Sequence, residues 1–418
     1  MKKLTLVFLA LSLAFVFCSC NIHINNIELT EYKETIKVGE KFRIKYSVNF
    51  EDESVLFVSS NTKVATVDLT GVVQGVGVGD TTITVKLSSN KDISTSFTLN
   101  VTSRYNKEDF ANIPLDEDLW HIKYLEEGSD VETIYMLLRK KISDVARGKE
   151  TRTSFQISNV AINDFNILDY SIMKAVGMLW LNCPYDLYWY EEQSGFTYDY
   201  NIKGNTIDLT VRMPVCSDYR KSQYEVDENR KEVALIALIN ANAIASAAPE
   251  SDYDRIMYFK NKICDLVTYD TASNNAQIAG KTKCGNNPWQ MISVFDDDTS
   301  TNVVCAGYSK AFKYLCDKVG IECKVVNGEM NGYAHVWNVV TLEGKNYIVD
   351  VTNCDGNSSG RPDKLMLVGA KGSIEKGYTD LNVGIKYRYY IDNDPATSML
   401  LVFSEEGLTI SDTSYKKH

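Results

Sequence analysis

Long apolar runs, closely spaced cysteines, histidine and positive charge are all scarce in this 418-residue chain. After the N-terminus no segment stays apolar over the ~18 residues a membrane-spanning helix needs, so none is expected to cross a bilayer. The ten cysteines include no C-x-x-C pair, and the four histidines (His23, His121, His335 and His418) are scattered. No structural zinc and no other metal or cofactor is therefore expected. A net charge of −11 argues against nucleic acid or an anionic membrane surface as the main partner. Residues 24–102 contain no cysteine, so that stretch must be held by packing alone. What is plentiful is hydrophobic residues, at 44%, enough for the packed cores of two or three domains.

The N-terminus begins Met1-Lys2-Lys3, continues with an apolar run from Leu4 to Phe17 and ends in Cys18-Ser19-Cys20. A basic start and a short apolar core make an export signal over residues 1–20, not a spanning helix. The end of this segment resembles a bacterial lipoprotein signal. Cys20 is the better lipidation site, because small Ser19 precedes it while bulky Phe17 precedes Cys18. Acylation there would tether the chain to an outward membrane face of the cell envelope. An ordinary secretory signal is the other reading, and both export the protein.

Residues 24–102 contain short alternating runs, FRIKYSV, VLFVSS, VATVD, GVVQGV, TTITVKL and SFTLNV, separated by turn residues. That is the pattern of a β-sandwich. The phrase SSNTKVATVDLTGVVQGVGVGDTTITV resembles bacterial Ig-like group 2 domains, with Gly71, Gly75, Gly77 and Gly79 at tight turns. Such a module implies a spacer or a weak adhesive unit. Residues 103–250 are mixed. DVETIYMLLRKKISDVARG reads as a helix with Ile134, Leu137, Leu138 and Ile142 on one face, and EVALIALINANAIASAAPE as another. FTYDYNIKGNTIDLTVRMPV reads as a hairpin about Gly204-Asn205. The tyrosine-rich CPYDLYWYEEQSGFTYDY suits a strand pair and its packing better than the wall of a substrate groove.

The chemistry concentrates after residue 300. From Ala306 the chain reads AGYSKAFKYLCDKVG. Tyr308, Phe312, Leu315, Cys316 and Val319 share one helical face, Lys310, Lys313, Asp317 and Lys318 fall on the others, and Gly320 supplies a stop. The helix should begin at or just after Cys305, with the thiol at its positive end. A helix N-terminus favours the thiolate form of a cysteine. The runs HVWNVV and KNYIVDV flank Thr341-Leu342-Glu343-Gly344, a hairpin signal. A two-residue loop at Glu343-Gly344 sets Leu342 opposite Lys345, Trp337 opposite Asp350 and His335 opposite Thr352. His335, Trp337, Asp350 and Thr352 then share a face, and His335 and Asp350 are diagonal neighbours about 7–8 Å apart. A slip of one residue would turn Asp350 away. Asp355 has no such relation and reads as a loop residue. Cysteine, histidine and aspartate in this order suit nucleophile, base and orienting acid.

The stretch CAGYSKAFKYLCDKVGIECKVVNGEMNGYAHVWNVVTLEGKNYIVDVTN resembles the transglutaminase-like superfamily, which shares a papain-like core. The preceding SDYDRIMYFKNKICDLVTYD is similar to the helix and Val-x-Tyr-Asp that come before the nucleophile in bacterial members. The resemblance implies Cys305 as nucleophile, His335 as base and Asp350 as orienting acid, in an α+β domain over residues 251–418 with a nucleophile helix on an antiparallel sheet. It also implies a Cys thioester intermediate and a protein or peptide substrate, with hydrolysis by a peptidase or amidase favoured. Protein cross-linking and non-catalytic surface binding or adhesion are the alternatives. Two departures stand out. Val303 sits where members often have glycine, and the stretch from Tyr269 to Cys305 is long. That stretch holds Trp289 and Gln290, either of which could supply a second oxyanion donor beside the Cys305 N–H. It also carries the acidic run Asp296-Asp297-Asp298, which reads as a solvated loop.

Overall fold

A computed structural model of the chain describes residues 26–49, 54–102, 125–278, 287–356, 363–371, 378–381, 385–389 and 409–417. The signal segment with Cys20, the histidines His23, His121 and His418, and MLLVFS, a strand-like run of the sequence after Cys354, lie outside the described residues. The chain divides into two compact units, Met1–Thr102 and Ser103–His418.

The first unit is all β. Its strands are β1 (Ile27–Glu31), β2 (Thr35–Lys37), β3 (Lys41–Arg43), β4 (Lys45–Val48), β5 (Val55–Ser59), β6 (Ala65–Val67), β7 (Val72–Gly75), β8 (Gly79–Leu87) and β9 (Ser94–Thr102). They form sheets ordered β2-β9-β8-β5, β3-β7-β6 and β1-β4. Alternation along β8 and β9 turns Ile83, Val85, Leu99 and Val101 inward, where they meet Ile36 and Val73 in a core made without cysteine. Gly71 sits at a turn as expected, but Gly75 lies inside β7 and its backbone packs against the Lys37 carbonyl.

The second unit is mixed. Its helices are α1 (Asp130–Ala146), α2 (Leu168–Asn182), α3 (Glu232–Ser246), α4 (Asp252–Leu266), α5 (Thr271–Ile278), α6 (Ile292–Phe295), α7 (Cys305–Lys318) and α8 (Val351–Cys354). On α1 the buried stripe is Ile134, Tyr135, Leu138 and Ile142, and Leu137, expected inside, is exposed. The strands β10 (Ser154–Ala161), β11 (Thr197–Lys203) and β12 (Thr206–Arg212) form one antiparallel sheet, with Lys203 opposite Thr206 across the turn at Gly204-Asn205, and β13 (Arg220–Ser222) pairs antiparallel with β14 (Glu225–Val226). The strand pair read into the tyrosine-rich segment begins only at Thr197. Before it, Tyr185, Leu187, Tyr188 and Trp189 are buried in irregular backbone.

The larger sheet runs β17-β16-β15-β20-β19-β18, built from β15 (Cys323–Met330), β16 (Tyr333–Leu342), β17 (Lys345–Val349), β18 (Ala370–Lys371), β19 (Tyr378–Leu381) and β20 (Lys386–Tyr389). Every pairing in it is antiparallel. Helix α7 packs on β15 and β16, and α3, α4 and α6 pack on α7. The helix is therefore buried all round from Ala306 to Cys316, not along one stripe. That corrects the placement of its lysines. Lys310 and Lys313 are fully buried, Lys310 paired with Glu192 at 2.9 Å and Lys313 with Asp317 at 2.7 Å.

Gly328 of β15 faces His335 across the ladder. A Cβ built there would lie 2.0 Å from the Arg388 carbonyl oxygen and 2.7 Å from the Trp337 ring, so the glycine is what lets β20 close against this part of the sheet. Gly328→Ala should lower the urea-unfolding free energy by roughly 1–3 kcal/mol, the usual cost of overpacking a filled site. An unchanged midpoint would show that the β15–β20 contact is not tight.

Candidate active site

Cys305 is the first residue of α7. The cap residue is Val304, and no side chain caps the helix start, so no hydroxyl or carboxylate offsets its positive end. The Pro288 carbonyl accepts the Val304 N–H at 3.0 Å. Gly307 permits this approach, since a Cβ there would fall 2.7 Å from the Pro288 oxygen and 2.6 Å from Val303 Cβ. The packing of residues 287–290 against the helix start thus explains the glycine in Cys-Ala-Gly-Tyr.

The hairpin has the register the sequence implies, with Leu342 opposite Lys345 and Asn338 opposite Val349. Glu343 and Gly344 both take positive φ, 51° and 73°, as a two-residue hairpin turn requires. The strand stops at Val349. Asp350 leaves it to cap α8, accepting the Asn353 N–H at 3.1 Å. Thr352 therefore lies in a helical turn and does not oppose His335, as the extended register implied.

His335 joins the three predicted residues. Its Nε2 lies 2.8 Å from Asp350 Oδ2 and 3.3 Å from the Asn353 side-chain nitrogen, which leaves Nδ1 as the ring nitrogen free to face the Cys305 thiol, one of the groups that act on the imidazole charge. Asp350 Oδ2 also accepts the Tyr387 hydroxyl at 2.7 Å and the Asn353 side-chain amide at 2.8 Å. The His335 ring stacks on Trp337, with centroids 6.0 Å apart and planes at 15°, and Trp337 packs on Tyr387 at 4.8 Å. Asp350 is fully buried and His335 is 7% exposed. Burial opposes a charged imidazole, but the Asp350 carboxylate and the Cys305 sulfur outweigh it and hold His335 up at about 10. Burial likewise opposes the Asp350 carboxylate, and His335, Tyr387 and Asn353 together hold it below its ordinary value.

All seven described cysteines are free thiols. Burial pushes Cys183 up to about 11 and Cys264 and Cys354 up to about 12, which makes them poor nucleophiles at neutral pH. Cys305, by contrast, is half-buried and opens into a cleft of about 960 Å³. Its lining includes His335, Val336, Thr352 and Asn353 around the β16 and α8 residues, Tyr269 and Trp289 from the stretch before α7, and Gly177, Trp180, Glu192 and Phe196 from α2 and the segment after it. Among the described residues no group of three or more side chains is placed to hold a metal ion.

The two oxyanion candidates part company. Trp289 lines the cleft, its indole N–H donating to Gln277 Oε1 at 3.3 Å, whereas Gln290 is buried behind it, accepting from Lys310 Nζ at 3.3 Å. Of the acidic run, Asp297 and Asp298 are exposed, and Asp296 is half-buried and raised to about 7 by burial. Asp355, read as a loop residue, is fully buried and accepts the Tyr308 hydroxyl at 2.7 Å, tying the loop after α8 to α7. The sequence gives no signal for Tyr387 or Asn353. The end of the tyrosine-rich segment, Tyr190 to Phe196, reaches the cleft after all.

Residues 23–95 match the family model described as bacterial Ig-like domain (group 2). No curated protein matches the chain. Among solved structures, one described as a TGase is similar at 16% identity over 68% of this chain and 69% of that one, with a TM-score of 0.27. An intimin–Tir90 complex is similar at 18% identity over 26% and 66%, with a TM-score of 0.16. A candidate cysteine protease from Cytophaga hutchinsonii is similar at 13% identity over 49% and 70%, with a TM-score of 0.23.

Because His335 is raised, its contribution to stability is complete below its unfolded pKa of about 6.5 and is lost as pH rises through about 10. The gap in urea midpoint between wild type and His335→Gln should therefore shrink steadily from pH 6 to pH 10. A gap independent of pH would remove the ion-pair description. Tyr387→Phe takes one donor from a buried carboxylate that keeps its other three. It should leave the fold intact and slow iodoacetamide alkylation of Cys305 severalfold at pH 7, with a shifted pH profile. Unaltered alkylation would mean the hydroxyl does not act on the site.

Proposed function

We propose that this protein is an exported thiol acyl-transfer enzyme of the transglutaminase-like kind that hydrolyses amide bonds of proteins or peptides. The observation that carries the reading is that Cys305, at an uncapped helix start, lines the same cleft as His335, whose other side is bonded to the buried Asp350. The Cys305 thiolate attacks the substrate carbonyl carbon, and its backbone N–H donates to the oxygen as that oxygen becomes negative. His335 delivers the proton on Nδ1 to the departing amine as the C–N bond breaks, leaving a thioester. Water then enters the open cleft. His335 takes one of its protons, the oxygen attacks the thioester carbon, and the Cys305 thiolate departs as the acid product leaves. Asp350 keeps the Nε2–H oriented throughout, and Asn353 and Tyr387 hold Asp350.

The export signal and the Ig-like module fit a protein that works outside the cytoplasm, tethered through Cys20 and holding its enzymatic unit on a spacer. Among the described residues no helix is long and apolar enough to cross a membrane.

Incubation of wild type and Cys305→Ala with casein, with and without an added dansylated amine, separates the chemistries. New N-termini are expected with wild type, reduced about 10³-fold or more in Cys305→Ala. Amine incorporation without new termini would make the enzyme a cross-linker. Identical behaviour of the two proteins in every readout would leave a non-catalytic surface module.

A further inference from the structure

Part of the cleft wall comes from α2 and the segment after it, which lie outside the stretch that carries the family resemblance. Met173, Gly177 and Trp180 recur at i, i+4 and i+7, so they form one face of α2, and all three line the cleft together with Val176 and Phe196. Phe196 follows the 3₁₀ turn Glu192–Ser194. Glycine inside a helix weakens it, because it adds backbone freedom to the unfolded chain and no packing. Gly177 occupies such a position between two large side chains, and the result is a notch in an otherwise aromatic and aliphatic wall.

The wall is also electrically neutral. Among the described residues Glu192 is the one carboxylate that lines the cleft, and it is paired with the buried Lys310 at 2.9 Å. The Lys310 ammonium lies 4.6 Å from the centre of the Trp180 ring. The positive charge is thus met by Glu192 and by the Trp180 ring. A cation or a carboxylate resting against the α2 face itself would find there, among the described residues, no unpaired opposite charge to replace its water. A large apolar side chain would find a fitted surface that continues to the Cys305 sulfur.

We propose that the Met173–Gly177–Trp180 face with Phe196 is the specificity subsite, and that it receives a bulky apolar side chain of the peptide or protein substrate next to the reacting carbonyl. The assignment of the occupant as a peptide rests on the acyl-transfer reading above. The notch at Gly177 sets how large that side chain can be.

The test uses the full chain carrying Cys305→Ala, so that binding is read without chemistry. Blocked tripeptides acetyl-Ala-X-Ala-amide with X = Phe, Leu, Gly, Asp or Lys are titrated calorimetrically. The Phe and Leu peptides should bind about ten-fold or more tighter than the Gly, Asp and Lys peptides. Adding Gly177→Leu, which fills the notch while strengthening the helix, should erase that preference with circular dichroism unchanged. Met173→Ala, which removes wall without filling it, should cut the preference severalfold. Equal binding of all five peptides, or a preference that survives Gly177→Leu, would overturn the subsite. A clear Phe preference in a protein whose wild type transfers no acyl group would instead overturn the enzymatic reading and leave the subsite standing.

Discussion

The second unit is organised around one buried carboxylate. Asp350 sits where β17 ends and α8 begins, and it gathers donors from four places: its own helix start, the Asn353 side chain, His335 on β16 and Tyr387 on β20. An isolated buried carboxylate would be costly, but one with this many donors is held ionised. The same bonds fix the end of the hairpin, the attachment of the outer strands and the rotation of the histidine ring. Structure and chemistry share one anchor, so the imidazole that faces the thiol is held by bonds that also close the sheet.

A second buried charge pair holds another part of the cleft lining. Lys310 extends from α7 to Glu192, and Trp180 donates its indole N–H to that carboxylate. Burial pushes Glu192 up and Lys310 down, and each charge counters the shift of the other. Such a pair gives little net stability, but leaving either partner alone would be severe. Its consequence is positional. It fixes the segment after α2 against the nucleophile helix, so the wall and the thiol keep a set separation. The region before residue 250 is therefore part of the site and shares one continuous core with the region after it.

The readable parts of the sequence were those governed by local rules. The start of α7 at Cys305, its stop before Gly320, and the hairpin register at Glu343-Gly344 follow from short-range periodicity and turn chemistry. From these alone His335 and Asp350 come within reach. The misread residues fail for a common reason. Lys310 and Lys313 looked like an outer face because one helix does not reveal a second layer packed on it. Thr352 is read along a strand that ends three residues earlier, before Asp350 turns to cap α8. Asp355 is a loop residue as read, and what the sequence hides is its burial, because its partner, Tyr308, is 47 positions away.

By itself the sequence determined the order and identity of the reacting groups, since a helix start, a turn and a two-residue alternation act over a few residues. It also determined the all-β character of residues 24–102, through alternation and turn residues. Only the tertiary structure decided what surrounds those groups: Tyr387 on Asp350, Glu192 on Lys310, and the α2 face that shares the cleft with the thiol. Those contacts join segments tens to more than a hundred positions apart, and no local pattern encodes such a meeting. It is set by how layers close over a shared core, where the cost of a buried charge selects its partner.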